Sequence, residues 1–157
     1  MGGDIDSMGA PQIKILPSSR YAQVVQQLRA WSPGIQAVLI YIDLRNLRDI
    51  NRLASPGEGD RVIHLVEQLL QRWIGREGVS GKLWSNEFVA AKAIDHTQAA
   101  SDEATQLRDL LNELSYDSAV GPARISVSLG LSIFRQDGDW ERVLSEAQQA
   151  CYQAKRR

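Results

Sequence analysis

Apolar positions in this chain fall into blocks whose spacing switches between helix and strand periods. Tyr21, Val24, Val25, Leu28 and Trp31 recur at helical intervals, which predicts a helix over Ser18 to Trp31 with Ser18 or Ser19 as its N-cap. Ser32-Pro33-Gly34 breaks it. Ile35 to Ile42 is a nearly continuous apolar run rich in β-branched residues, the pattern of a central strand buried on both faces. Polar residues from Arg45 to Arg52 read as a helix, interrupted by Ser55-Pro56-Gly57-Glu58-Gly59. Asp60 then reads as the cap of a helix that buries Val62, Ile63, Val66, Leu69, Leu70 and Trp73 and ends before Gly75. Short strands near Ser80 to Leu83 and Glu87 to Ala91 flank Trp84-Ser85-Asn86 as a hairpin. Ala100, Ala104, Leu107, Leu111 and Leu114 predict a helix from Thr97 to Leu114. Ile125, Val127, Leu129, Leu131 and Ile133 alternate with Ser126, Ser128, Gly130 and Ser132, which is strand period. After Asp137-Gly138-Asp139, a last helix carries Val143, Leu144, Ala147, Cys151 and Ala154.

The predicted order is α, β, α, α, β, β, α, β, α. It implies an α/β fold, an α+β sandwich whose central mixed or antiparallel sheet of about five strands is flanked by helices. A chain of 157 residues suffices for one domain with a sizeable core. Residues 13–157 are read as that domain, and residues 1–12 as a linker or expression scar. Gly2-Gly3-Asp4 in that segment follows no strand pattern and is set aside.

Composition narrows the class. Hydrophobic residues make up 43% and charged residues 24%, the balance of a soluble globular protein. A net charge of −1 gives no pull toward nucleic acid or an anionic membrane. The longest apolar run, Ala37 to Ile42, is too short to span a bilayer, and no charged-then-apolar start resembles a signal peptide. The single cysteine, Cys151, excludes an internal disulfide, suits a reducing cytoplasm and lies on an apolar helical face, where it packs. His64 and His96 have no partner at a zinc-ligand spacing. Trp31 and Trp73 read as core. Trp84 and Trp140 fall at turns, where an exposed indole would anchor a partner surface.

Three polar residues near the second and third predicted helices carry candidate chemistry. Asp43 ends a buried strand, where its carboxyl group either caps the next helix or helps to hold Mg²⁺. Asn51 offers an amide donor and acceptor to a purine edge, or is a polar residue on a solvated face. Asp60 caps its helix, accepts guanine N–H groups, or does both.

Spacing joins them. A strand ending in Asp43, then Asn51, then Gly59-Asp60, then Trp84-Ser85-Asn86-Glu87-Phe88 resembles the nucleotide site of the GGDEF family, the diguanylate cyclases of cyclic di-GMP signalling. Leu16-Pro17-Ser18-Ser19-Arg20, Ile125-Ser126-Val127-Ser128-Leu129-Gly130 and Ala150-Cys151-Tyr152-Gln153-Ala154-Lys155 resemble further landmarks of that family, in the same order. The resemblance implies a GGDEF or nucleotidyl-cyclase-like fold. It also implies metal ligation by Asp43, the Leu44 carbonyl and Asn86, with Mg²⁺ needed only if nucleotide binds. Guanine contacts would come from Asn51 and Asp60, phosphate contacts from Arg48 and Lys155, and help in deprotonating a 3′-hydroxyl from Glu87.

The pattern is degenerate. Only Glu87 and Phe88 keep the five-residue signature; Trp84 and Ser85 replace its glycines, and Asn86 replaces its second metal carboxylate. Arg45 stands for a second Asp, Leu47-Arg48 for Phe-Lys, and Ser55-Pro56 for Gly-His. Gly75 and Gly78 fall where the product-inhibition motif would lie. An indole at Trp84 is expected to crowd the nucleotide, and an amide at Asn86 to weaken metal binding. The expectation is a bacterial regulatory or interaction domain without cyclase activity. It would serve a neighbouring domain of a longer chain, such as an EAL phosphodiesterase, and could pair as a homodimer. A GTP-binding allosteric sensor and a residual diguanylate cyclase are the alternatives.

Overall fold

The apolar run after Gly34 forms β1 (Gln36–Leu44), the central strand of a computed structural model that describes residues 19–34, 36–136 and 138–155. β1 pairs antiparallel with β3 (Glu87–Ile94) on one side and with β6 (Val127–Arg135) on the other. β2 (Gly78–Trp84) pairs antiparallel with β3, giving the order β2-β3-β1-β6. The central sheet thus has four strands, all antiparallel, and a separate pair, β4 (Ser115–Ser118) and β5 (Gly121–Arg124), forms a second sheet. That small hairpin has no apolar alternation to announce it, and Pro122 sits inside it. The strand predicted from Ile125 begins at Val127; Ile125 is nonetheless buried.

Alternation along β1 builds two cores. Val38, Ile40, Ile42 and Leu44 face Val62, Val66 and Leu70 of α3 (Glu58–Ile74) and Leu107 and Leu111 of α4 (Gln98–Asn112). Ala37, Leu39 and Tyr41 face Val24, Val25 and Leu28 of α1 (Ser19–Ala30) and Leu144, Ala147 and Cys151 of α5 (Trp140–Lys155). The short helix α2 (Leu47–Leu53) anchors Leu47 and Ile50 in the first core. Gly130 brings α5 onto β6: a Cβ there would lie 2.1 Å from the Ala147 carbonyl oxygen and 2.2 Å from the Cys151 nitrogen. Among the described residues, no helix is long and apolar enough to cross a membrane.

Two expectations need correction. Trp140 is buried rather than exposed: it stacks on Phe134 at 3.9 Å and on Trp31 at 5.8 Å between ring centroids. Tyr21, Trp31 and Trp140 close the α1–α5 side of the second core, where burial outweighs the turn position. Asp60 does not cap α3, which starts two residues earlier after Gly57. Arg61 donates to both oxygens of Glu58, at 2.8 and 2.6 Å, and fixes the first turn from within.

Glu58 also accepts the Asp117 backbone N–H at 2.7 Å, tying α3 to the β4–β5 hairpin. The Arg61 guanidinium, followed by that N–H, holds the Glu58 carboxyl at about 2, below its usual 4.5. A depressed folded pKa contributes stability above the unfolded value, and that contribution is lost as pH falls through the folded one. Glu58→Gln should therefore lower the urea midpoint at neutral pH. The gap from wild type should shrink between pH 4.5 and about 2.

Candidate nucleotide cleft

β1 delivers Asp43 and Leu44 to one end of the sheet, directly beside the β2–β3 turn at Ser85-Asn86. Asp43 has no solvent exposure and lies opposite Glu87 on β3 and Ser128 on β6. The Leu44 N–H donates to the Asn86 carbonyl at 2.8 Å. In return, Asn86 Nδ2 donates to Asp43 Oδ1 at 3.0 Å and to the Leu44 carbonyl oxygen at 3.4 Å. Both targets are acceptors, so only the amide nitrogen can face them.

These partners decide whether the site suits a divalent cation. Mg²⁺ takes oxygen ligands at close range. The two oxygens that would share it, on Asp43 and Leu44, converge instead on an N–H₂ group. Asn86 brings a donor where a cation needs an acceptor, so the residues do not fit the metal in this arrangement.

Beside this clasp lies a cleft of about 710 Å³ lined by Leu44, Arg45, Leu47, Arg48, Asp49, Asn51, Arg52, Ser85 and Asn86. Its chemistry is basic: three arginines against one carboxyl group. Arg52 pairs with Asp49 at 3.1 Å, whereas among the described residues Arg45 and Arg48 have no ion-pair partner. Asn51 is exposed on α2 and lies over the start of α3. A Cβ at Gly59 would fall 1.8 Å from Asn51 Oδ1, so only glycine leaves room for that side chain. Asp60 is exposed in the first turn of α3, next to Gly59. Asn51 thus lies against Gly59, the residue that precedes Asp60.

The remaining sequence candidates lie elsewhere. Trp84 does not line the cleft; it is half-buried against the second core, because a register shift between Lys82 and Trp84 turns it that way. Ser85, in contrast, is exposed at the cleft. Phe88 is fully buried in the first core. Glu87 is 2% exposed and points toward α5 rather than into the cleft. Its Oε1 accepts from the Tyr41 hydroxyl and from Tyr152 at 2.9 Å. Gln148 Nε2 donates to Tyr41 at 3.0 Å and to Tyr152 at 3.3 Å. Burial, then the neighbouring Glu87, pushes both tyrosine hydroxyls well above the usual phenol range, so they stay protonated donors.

The Tyr41–Glu87–Tyr152–Gln148 network was missed in the sequence. Tyr41 looks like one more apolar strand residue, and Gln148 like helix surface. The Lys155 side chain, Arg156 and Arg157 lie outside the described residues, as does most of Leu16-Pro17-Ser18-Ser19-Arg20. His64 and His96 are exposed, and no group of three His, Cys, Asp or Glu among the described residues is placed to hold a metal ion.

The model of the family described as diguanylate cyclase, GGDEF domain, matches residues 20–157. A search of curated proteins finds no match. Among solved structures, the chain is similar to the diguanylate cyclase SiaD of Pseudomonas aeruginosa, solved with its activator SiaC: TM-score 0.73, 19% identity, covering 86% of this chain and 54% of SiaD. It is similar to the EAL/GGDEF domain protein of M. capsulatus, with TM-score 0.70, 23% identity and 88% of each chain covered. It also resembles the active GGEEF domain of a diguanylate cyclase from Vibrio cholerae, with TM-score 0.66, 26% identity, and 87% of this chain and 85% of that one covered. With the family model spanning nearly the whole described fold, the chain belongs to the GGDEF family.

Proposed function

We propose that this GGDEF domain makes no cyclic di-GMP and serves as a regulatory module. The observation that carries this is the Asn86 clasp, in which an amide donor spans the Asp43 carboxyl group and the Leu44 carbonyl oxygen. Two-metal phosphoryl transfer needs anionic ligands that hold both ions and align the attacking oxygen. Here one of those carboxylates is replaced by an amide that competes with the ion for the other ligands. Burial of Glu87 beneath the sheet adds to the argument, because a group bound by two tyrosine hydroxyls faces no substrate.

The module would act on a neighbouring domain of a longer cytoplasmic chain. Two similar proteins point that way: SiaD was solved with an activator protein, and the M. capsulatus protein carries EAL and GGDEF together. An EAL phosphodiesterase is the neighbour of choice, and homodimer formation is compatible with this role. Retention of an open, basic cleft beside Asn51 favours a second reading, a sensor that binds GTP and reports it by changing contacts with that neighbour.

The test is direct. The chain at high concentration, incubated with GTP and either Mg²⁺ or Mn²⁺, should give no cyclic di-GMP by chromatography. Product that disappears in Asp43→Ala would overturn the proposal.

A further inference from the structure

We propose that β6 is a self-pairing edge through which two copies of this chain join their sheets. It lies on the other side of β1 from the hairpin that carries Asn86, so the pairing does not depend on how the cleft is read.

β6 pairs with β1 on one side, and among the described residues no strand pairs with its other side. The Arg45 N–H donates to the Ser126 carbonyl at 2.7 Å, so the even-numbered residues of β6 turn their backbone groups toward β1. Val127, Leu129, Leu131 and Ile133 direct theirs outward. Exposed edges are commonly guarded by a bulge, a proline or a lysine. β2, the opposite edge, has Lys82 and a register shift. β6 has none of these: its register with β1 is unbroken, and no side chain from Val127 to Phe134 is charged.

The occupant follows from the strand's own sequence. Val127-Ser128-Leu129-Gly130-Leu131-Ser132-Ile133 reads nearly the same in both directions about Gly130. Antiparallel pairing of two copies about that glycine sets Leu129 opposite Leu131, Val127 opposite Ile133 and Ser128 opposite Ser132. Each outward-facing residue then meets another, as backbone hydrogen bonding requires. The apolar pairs fall together on the α4 face, and the uncharged stretch brings no like charges into contact. Gly130 meets its own copy on the α5 face, where the closeness of α5 admits no Cβ. Beside the strand runs a groove of about 370 Å³, walled by Ser101, Ala104 and Thr105 of α4, Ala154 of α5, and Leu129 and Leu131. These small helix side chains leave room for the helices of the second copy. Leu131, 37% exposed, is the side chain that pairing covers. A strand pair with flanking helices buries an area at the low end for stable interfaces, so the dimer should dissociate at about micromolar concentration.

Sedimentation equilibrium of the full chain over a wide concentration range reads this out. The mass should rise toward twice that of the monomer. Leu131→Lys should weaken dimerisation at least about tenfold without lowering the melting temperature of the monomer. Leu129→Cys chains mixed with Leu131→Cys chains should form disulfide-linked dimers faster than either variant alone, because only the mixed pair sits face to face. Cys151 is buried and does not compete. A monomer at every concentration, a dimer unchanged by Leu131→Lys, or Leu131→Cys chains that link to each other as fast as in the mixture would overturn the proposal. So would hydrogen exchange showing the Leu129 and Leu131 amides protected in a monomer, since another segment of the chain would then occupy the edge.

Discussion

Asn86→Asp is expected to lose about 3 kcal/mol of stability without divalent cations, and to regain most of it when Mg²⁺ or Mn²⁺ is added. Wild type loses nothing and regains nothing. The estimate has two parts. The variant gives up the amide bonds to Asp43 Oδ1 at 3.0 Å and to the Leu44 carbonyl at 3.4 Å. It also sets a second carboxyl group against the first, with Asp43 fully buried. Oxygen would then face oxygen, a site that is strained when empty and suited to a cation when filled. Thermal melts with EDTA and with Mn²⁺ measure both effects. An Asn86→Asp chain as stable as wild type in EDTA would mean that the amide clasp contributes little.

Glu87→Ala should be more damaging still, at about 4 kcal/mol, and the damage should appear as lost stability rather than altered binding. Its removal leaves the Tyr41 and Tyr152 hydroxyls without their acceptor, and Tyr41 is fully buried. A buried donor that loses its charged acceptor costs about 1–3 kcal/mol even where Gln148 still donates to it, and the space left by the side chain adds to that. Glu87→Gln keeps an acceptor oxygen and should recover at least half of the loss. Urea denaturation of the two variants distinguishes the roles. A residue reserved for catalysis could be truncated at little cost, so a Glu87→Ala protein of wild-type stability would reassign Glu87 to the cleft.

Legibility of the chain followed the physics of its patterns. The nearly continuous apolar run of β1 and the strand period of β6 announced two strands of the central sheet, but in β6 the buried positions are Ser128, Gly130, Ser132 and Phe134, while Leu131 on the apolar face is exposed. The apolar faces of α3 and α4 pack as their periods required. Trp140 was misread because a residue just after a turn can still stack between Trp31 and Phe134. The β4–β5 pair escaped because Ser, Asp, Gly and Pro carry no strand period; Glu58, Arg61 and an isolated bridge from Ala54 to Ser118 hold it. At the candidate site, resemblance to the family grouped Asp43, Asn51, Asp60 and Asn86; the fold sets Asn86 on Asp43 and Asn51 against Gly59, the residue before Asp60. What spacing could not convey was direction. Trp84 and Glu87 are neighbours of Ser85 and Asn86 in sequence, yet one packs on the second core and the other lies beneath the sheet among Tyr41, Tyr152 and Gln148. The register shift in β2 is the cause for Trp84, and the pairing of Glu87 with Asp43 is the cause for Glu87.

Mn²⁺ binding measures most directly whether the Asn86 amide keeps a cation from the Asp43 carboxyl group and the Leu44 carbonyl oxygen. Electron paramagnetic resonance of free Mn²⁺, titrated with wild type and with Asn86→Asp, separates the possibilities. The free signal should stay unchanged with wild type and fall with Asn86→Asp. Depletion of the signal by wild type, abolished in Asp43→Ala, would show that Asn86 yields its position to a metal ion and would contradict the account.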